Sequence, residues 1–139
     1  MGAVIDFDAR NTILRVTVEG QLTDAILLGA YASVARYVAS HGPCRAIANI
    51  SGVTKLEVSR KAVRELAQSS PAIPTGYMRV IVAPLDSMYG MARTFQILSE
   101  LTRPDLRVVR TMDDAYRLLR VESPEFGPVS CFNEFLIFL

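Results

Sequence analysis

The sequence predicts an α/β domain of the ββαβαβαβα type, with a mainly parallel sheet, an antiparallel N-terminal hairpin and four helices. Short apolar segments alternate with amphipathic ones along most of the chain, and such alternation is typical of parallel sheets with right-handed crossovers. The first two apolar segments are separated only by a short turn, which indicates a hairpin. With 139 residues, half of them hydrophobic, the chain fits one domain with a packed core.

The hairpin is predicted from residues 4–7 and 12–19, joined by a turn at Arg10 and Asn11. In the second segment apolar and polar residues alternate, which is typical of a strand with one buried face. Gly20 is expected to end this strand, because glycine in a strand weakens it and often marks a turn.

The first helix is predicted to follow a cap at Thr23 or Asp24 and to end before Gly42, a common helix terminator. Residues 45–50 then form a buried strand. A Ser-Gly turn and a linker are expected to follow it, before a second helix over residues 60–68.

The second half of the chain repeats the alternation of strand and helix. Residues 78–83 are nearly all apolar, as expected for a strand covered on both faces. Asp86 or Ser87 is expected to cap the third helix. A last strand is predicted at residues 106–109, and Asp113 with the next residue is expected to open a fourth helix, where acids favour the helix dipole.

This element order, together with the strand-end pattern NISGVT at residues 49–54, resembles a STAS domain, the fold of anti-sigma-factor antagonists. The passage VAPLDSMYGMARTFQ at residues 82–96 resembles the SpoIIAA-like branch of small uncharacterised bacterial proteins. The resemblance covers roughly residues 3–122. We therefore expect a STAS-like domain at residues 1–122 and a hydrophobic C-terminal tail at residues 123–139.

The resemblance implies a switch motif, Asp-Ser-[Ser/Thr]-Gly, at the start of the second helix. Glu57, Val58, Ser59 and Arg60 occupy these positions. Val58 has no hydroxyl group, so the usual phosphoserine switch is expected to be absent. Ser59 is a candidate phosphosite displaced by one residue, and its alternative role is that of a helix cap.

The resemblance also implies that the second helix faces a protein partner. The candidate partner-binding residues are Val58, Ser59, Arg60, Lys61 and Arg64. Their cations would favour an acidic protein surface or anionic lipid headgroups. The alternative is an ordinary solvated helix face, since exposed charges are common.

Two further sets of residues are candidates for binding. Met adapts to irregular apolar shapes, and ligands of open α/β sheets bind near the carboxyl ends of the strands. Candidate ligand-binding residues in the third helix are Met88, Tyr89, Met91 and Phe95, with ordinary core packing as the alternative. Candidate interface residues in the tail are Phe132, Phe135, Ile137 and Phe138, since exposed apolar patches usually mark interfaces.

Composition excludes several classes of protein. A net charge of +1 gives no broad attraction to nucleic acid. No apolar run reaches the roughly 20 residues of a transmembrane segment. The first residues include acids, unlike a secretory signal. A cytoplasmic location is therefore expected, with contact at a membrane surface as a second option.

Catalytic and metal chemistry have little support in the sequence. His41 is the single histidine, and Cys44 and Cys131 lie far apart. Zinc sites use three or four protein ligands, so no metal is expected, and no cofactor motif is present. We therefore expect a non-catalytic, regulatory protein-interaction module, homodimeric or with another protein partner. The alternative is a binder of a small apolar ligand or lipid, at a membrane surface or in solution.

Overall fold

The computed structural model describes residues 2–129 and confirms the predicted fold class. Within these residues the chain forms an α/β domain with four helices and a six-stranded mixed sheet. The strands are β1 (Gly2–Asp8), β2 (Ile13–Thr23), β3 (Arg45–Glu57), β4 (Arg79–Val82), β5 (Leu106–Val109) and β6 (Gly127–Pro128). The helices are α1 (Asp24–His41), α2 (Arg60–Gln68), α3 (Asp86–Leu98) and α4 (Met112–Leu119).

The sheet has the strand order β5-β4-β3-β2-β1-β6. β1 and β2 form the expected antiparallel hairpin, whereas β2, β3, β4 and β5 run parallel to one another. The short strand β6, which the sequence pattern did not predict, pairs antiparallel with β1 through Asp6 and Phe7. Two residues are too few to show the alternation that identifies a strand.

β2 and β3 are longer than predicted. β2 continues past Gly20, and β3 runs through Ser51 and Gly52, where the sequence predicts a turn and a linker. The two strands stay paired to their ends, with register shifts next to Thr17 and Gly20. At both shifts the extra residue lies in β3, opposite β2. Gly20 in β2 has a φ of +76°, which glycine adopts without strain, so β2 continues through this position. The prediction that Gly20 ends the strand was therefore wrong.

Two helix starts also differ from prediction. Leu85, rather than Asp86 or Ser87, holds the cap position of α3, and its side chain makes no capping hydrogen bond. α4 is capped by Thr111, whose Oγ1 accepts a hydrogen bond from the Asp114 amide at 3.1 Å. Residues of capping type lie within the first turn of each helix, Asp86 and Ser87 in α3 and Asp113 and Asp114 in α4, so sequence alone does not identify which residue takes the extended cap conformation.

The helices cover the two faces of the sheet unequally. α4 packs on one face, where Ala115 and Leu119 meet a cluster that contains Ile47 and Val80. The opposite face carries the larger core cluster, to which α1 and α3 contribute, and α2 packs beside α3. Three helices therefore share one face, and the space beneath them holds the site described next.

Candidate ligand site

An apolar cavity of about 210 Å³ lies between the sheet and helices α1, α2 and α3. Its floor is made of residues that alternate along the central strands and point to this face. Two of them, Ala46 and Ala48, are small, which leaves space above β3. The principal lining residues are Val16, Ala46, Ala48 and Ile81 of the strands, with Leu27, Val34, Val63, Leu66, Met91 and Phe95 of the helices.

The size and chemistry of this cavity suit a small organic molecule. Protein interiors rarely contain voids much larger than a water molecule. An apolar cavity of about 150 Å³ in a protein core stays dry and binds benzene. The cavity here is larger, and its lining residues are almost all hydrophobic.

One end of the cavity is bounded by Arg103, which lies just before β5 and is only 4% exposed. Its guanidinium donates hydrogen bonds to the carbonyl oxygens of Ala67 at 3.1 Å and Leu66 at 3.2 Å. It also lies over the Phe95 ring, 5.1 Å from the centroid. Burial lowers the pKa of Arg103. Its donors thus stabilise the carboxyl end of α2, where carbonyl groups lack helical partners.

Arg79, the first residue of β4, lines the same cavity. Its Nε and Nη2 atoms are buried and have no hydrogen-bond partner among the described residues. Burial and the charge of Arg103 lower the pKa of Arg79, whereas Asp105 raises it. A guanidinium nevertheless stays protonated in proteins. The lining of the cavity therefore includes a half-buried arginine with two covered, unused donors.

Sequence reasoning missed both arginines. The available signal was an arginine at the start of an otherwise apolar central strand, within the run MRVIVA. Charged residues are almost never fully buried unless paired, so an arginine in such a strand is a candidate functional group.

The structure brings together two of the four predicted ligand-binding residues. Met91 and Phe95 line the cavity. Met88 is buried in the main core cluster. Tyr89 lies under the guanidinium of Arg110, which is 4.1 Å from the centroid of its ring. The four residues share helical spacing, but Met91 and Phe95 belong to a cavity wall, whereas Met88 belongs to the core.

A second, more polar cleft of about 580 Å³ lies between α2 and α3. It is lined by four of the five predicted partner-binding residues, Val58, Ser59, Arg60 and Arg64, together with residues of α3. The fifth, Lys61, is exposed and forms an ion pair with Glu65 at 3.9 Å. Both the cleft and the cavity are lined by Val63 and Met91. These two side chains therefore separate the polar cleft from the apolar cavity.

Ser59 caps α2 and is held by Asp24 at the start of α1. The Ser59 amide and hydroxyl each donate a hydrogen bond of 2.7 Å to the Asp24 carboxylate. The same hydroxyl accepts one from the Ala62 amide at 3.0 Å. The hydrogen bonds from Ser59 lower the pKa of Asp24, and the bond from the Ser59 backbone amide has the largest effect. A phosphate on Ser59 would place negative charge against this carboxylate.

Replacing Ser59 with Ala is expected to lower the free energy of unfolding by about 1 kcal/mol, the usual cost of losing a helix cap. Ser59→Asp should be at least as damaging, since its carboxylate would face Asp24. Urea denaturation measures both effects. Ser87→Ala, an exposed serine in the same cleft, is the control and should change little. If Ser59→Asp were more stable than the unmodified protein, the expected repulsion from Asp24 would be wrong.

The other candidate chemistry concerns Cys44 and His41. Cys44 is buried, and this burial raises the pKa of its thiol, so the reactive thiolate is disfavoured. The His41 ring stacks on Tyr37, with centroids 4.3 Å apart. Within residues 2–129, the His, Cys, Asp and Glu side chains form no group of three that could hold a metal ion.

Comparison with known proteins gives no family, because no protein-family model matches the sequence and no curated protein matches it either. The predicted interface residues of the tail, Phe132, Phe135, Ile137 and Phe138, lie outside the described residues. None of the helices in the described part of the chain is both long enough and apolar enough to cross a bilayer.

Proposed function

We propose that this domain binds a small apolar molecule in the cavity beneath α1, α2 and α3. The observation that supports this function is the cavity itself, about 210 Å³ of space with an almost wholly hydrophobic lining. Binding sites for small molecules are typically concave and apolar, with a few placed polar groups that fix orientation. Here Arg79 and Arg103 are the two charged residues of the lining.

The proposal assigns the domain a non-catalytic role. Binding needs the shape and chemistry of the cavity and uses neither Cys44 nor His41. A cytoplasmic location, with contact at a membrane surface as the alternative, belongs to the same proposal. So does a relationship to STAS-like domains, which rests on the element order and on the passages quoted from the sequence.

Filling the cavity is expected to abolish binding. Ala48 lies on the cavity floor, so Ala48→Leu places three additional carbon atoms in the space that a ligand would occupy. With 1-octanol as probe in isothermal titration calorimetry, we expect affinity to fall at least about tenfold, or 1.4 kcal/mol. Thermal stability should be kept or raised, because filling a cavity commonly stabilises a protein.

The control is Ala32→Leu, the same chemical change at an exposed position of α1 that does not line the cavity. It should bind 1-octanol as the unmodified protein does. If neither the unmodified protein nor the control binds 1-octanol or any other small apolar probe, the proposed function is wrong. If Ala48→Leu binds as well as the control, the cavity is not the site.

A protein-interaction module is the second candidate, and a different observation favours it. Arg60 and Arg64 line the exposed cleft between α2 and α3, and together they present positive charge to an acidic partner. Near the other end of α3, Ile97, Leu98 and Leu101 are 59%, 52% and 94% exposed. Exposed apolar groups of this kind often mark interfaces.

Native mass spectrometry of the purified protein distinguishes the two candidates. An added mass that is much smaller than one chain and disappears on denaturation indicates a retained small molecule. A mass of two chains with nothing added indicates self-association and favours the interaction module. If the protein is a single chain without added mass and captures no acidic partner, the result counts against the interaction module.

A further inference from the structure

The unused donors of Arg79 form a defined edge of the guanidinium. Nε and Nη2 lie on the same side of the group, point in parallel, and are both buried. A buried polar group without a partner costs free energy, and a buried charge costs more. Such a group calls for an explanation, since the great majority of buried polar atoms have a partner.

In another arginine of this protein, Arg15, the same edge of the guanidinium binds a carboxylate. In the β1–β2 hairpin, Arg15 donates from Nε to one oxygen of Asp6 at 3.0 Å and from Nη2 to the other oxygen at 2.6 Å. This two-point pairing is characteristic of a guanidinium and a carboxylate. Arg79 presents the corresponding two donors, but none of the ion pairs found among residues 2–129 includes it.

The surroundings of Arg79 do not supply the missing anion. Asp105 is close enough to raise the pKa of Arg79, but one of its oxygens accepts a hydrogen bond from the Gly76 amide at 2.7 Å. No hydrogen bond or ion pair joins this carboxylate to Arg79 in the described structure. The neighbouring Arg103 adds a second positive charge, and its donors face backbone carbonyl groups. The end of the cavity is thus electropositive.

The cavity is partly open to solvent, and its volume sets the size of the part of an occupant that it can enclose. A cavity of about 150 Å³ holds the six carbons of benzene. In proportion, a cavity of 210 Å³ holds about eight carbons. Arg79 and Arg103 together with the nearby Asp105 carry a net charge of one positive unit, which fits a carboxylate better than a phosphate monoester, whose charge is about −1.5 to −2 at neutral pH.

We propose that the cavity binds an apolar monocarboxylate of about eight carbons, a short fatty acid or an arylalkanoate, with its carboxylate on Nε and Nη2 of Arg79. Both atoms are covered in this structure, so the Arg79 side chain turns toward the cavity when the carboxylate binds. The hydrocarbon part lies along Ala48, Met91 and Phe95. This inference rests on the proposed function and adds to it the chemical class of the ligand.

The test compares probes that share one chain length. Octanoate, 1-octanol and octyl phosphate are titrated into the full-length protein by isothermal titration calorimetry. We expect octanoate to bind at least about tenfold more tightly than 1-octanol, because hydrogen bonds to charged groups are the strong ones. Octyl phosphate should bind more weakly than octanoate.

Variants of Arg79 identify the group responsible. Arg79→Met keeps the length of the side chain and removes the charge, so it should lose the preference for octanoate over 1-octanol. Arg79→Lys keeps the charge but not the two-donor edge and should retain only part of the preference. The control is Arg107→Met on the adjacent strand, whose exposed arginine does not line the cavity.

A measurement on the unmodified protein tests the proposal even if the Arg79 variants do not fold. The ¹⁵N–¹H signal of Arg79 Nε should shift when octanoate is added and stay in place with 1-octanol. Equal affinity for octanoate and 1-octanol, or an unmoved Nε signal at saturating octanoate, would overturn the carboxylate assignment and leave the apolar site intact. Tighter binding of octyl phosphate would overturn it too. Failure of all three probes would overturn the proposed function itself.

Discussion

Replacing Arg103 with Met is expected to lower the free energy of unfolding by about 3 kcal/mol. Arg103 is buried, and its guanidinium joins the segment before β5 to the carbonyl groups that end α2. Methionine fills similar volume but makes none of these hydrogen bonds. The Ala67 carbonyl would lose its donor, and an unsatisfied buried polar group costs about 1–3 kcal/mol. Loss of the contact with the Phe95 ring adds to this.

Two other effects partly oppose the loss of stability in this variant. A methionine side chain carries no charge that burial would penalise, and Arg79 would no longer have a like charge nearby. The hydrogen bonds and packing are nevertheless expected to dominate, because they hold α2 against the rest of the fold. Urea denaturation measures the change. Arg107→Met, which replaces an exposed arginine, is the control and should stay within about 0.5 kcal/mol of the unmodified protein. Equal stability of the Arg103→Met variant and this control would contradict the account.

Replacing Asp8 with Ala is expected to cost about 3 kcal/mol. The Asp8 side chain is fully buried at the end of β1. Its carboxylate accepts hydrogen bonds from the Asn11 amide at 3.1 Å, the Asn11 side chain at 2.8 Å and the Glu125 amide at 3.2 Å. A hydrogen bond to a charged group contributes about 1.5–3 kcal/mol, and removal of a buried charge partly offsets the loss of these three. The variant would also free the segment that leads into β6.

The same carboxylate predicts how stability depends on pH. Burial raises the pKa of Asp8, but the hydrogen bonds from Asn11 and Glu125 outweigh it and hold the pKa below the ordinary value of 3.8. A group with a depressed pKa stabilises the fold above its unfolded pKa, and this contribution is lost as the pH falls through the folded pKa. The unmodified protein should therefore lose more stability below pH 3.8 than Asp8→Ala does.

Denaturation at a series of pH values tests this second prediction. Asp8→Asn keeps the size of the side chain and separates the effect of charge from that of volume. Glu100→Ala removes an exposed acid and serves as the control. If Asp8→Ala matches the control at neutral pH and in acid, the carboxylate does not hold β1 to the segment before β6.

The order of helices and strands was predictable because it depends on local periodicity. The apolar run at β4 and the alternation in β2 identify strands without knowledge of the fold. The lengths of β2 and β3 were not predictable in the same way. Their far ends are held by pairing with each other beyond a bulge in β3 opposite Gly20, and the sequence carries no local sign of that partner.

The candidate site was predictable only in part. Met91 and Phe95 were found because they lie at helical spacing on an apolar face, a pattern that does not separate a cavity wall from a filled core. Arg79 and Arg103 were missed because their surroundings depend on residues distant in the sequence. The partners of Arg103, for example, lie 36 and 37 positions away.

If the ligand binds as we propose, the place of Arg79 in the sheet links the supply of ligand to the stability of the fold. The Arg79 amide donates a hydrogen bond to the Asp105 carbonyl at 3.0 Å. Any movement of the Arg79 backbone away from the cavity would break this hydrogen bond. A ligand that binds only the folded chain, at a hundred times its dissociation constant, adds about 2.7 kcal/mol to stability. Cells that degrade unfolded chains would then hold more of this protein when the proposed ligand is plentiful, and the abundance of the protein would follow the supply of that ligand.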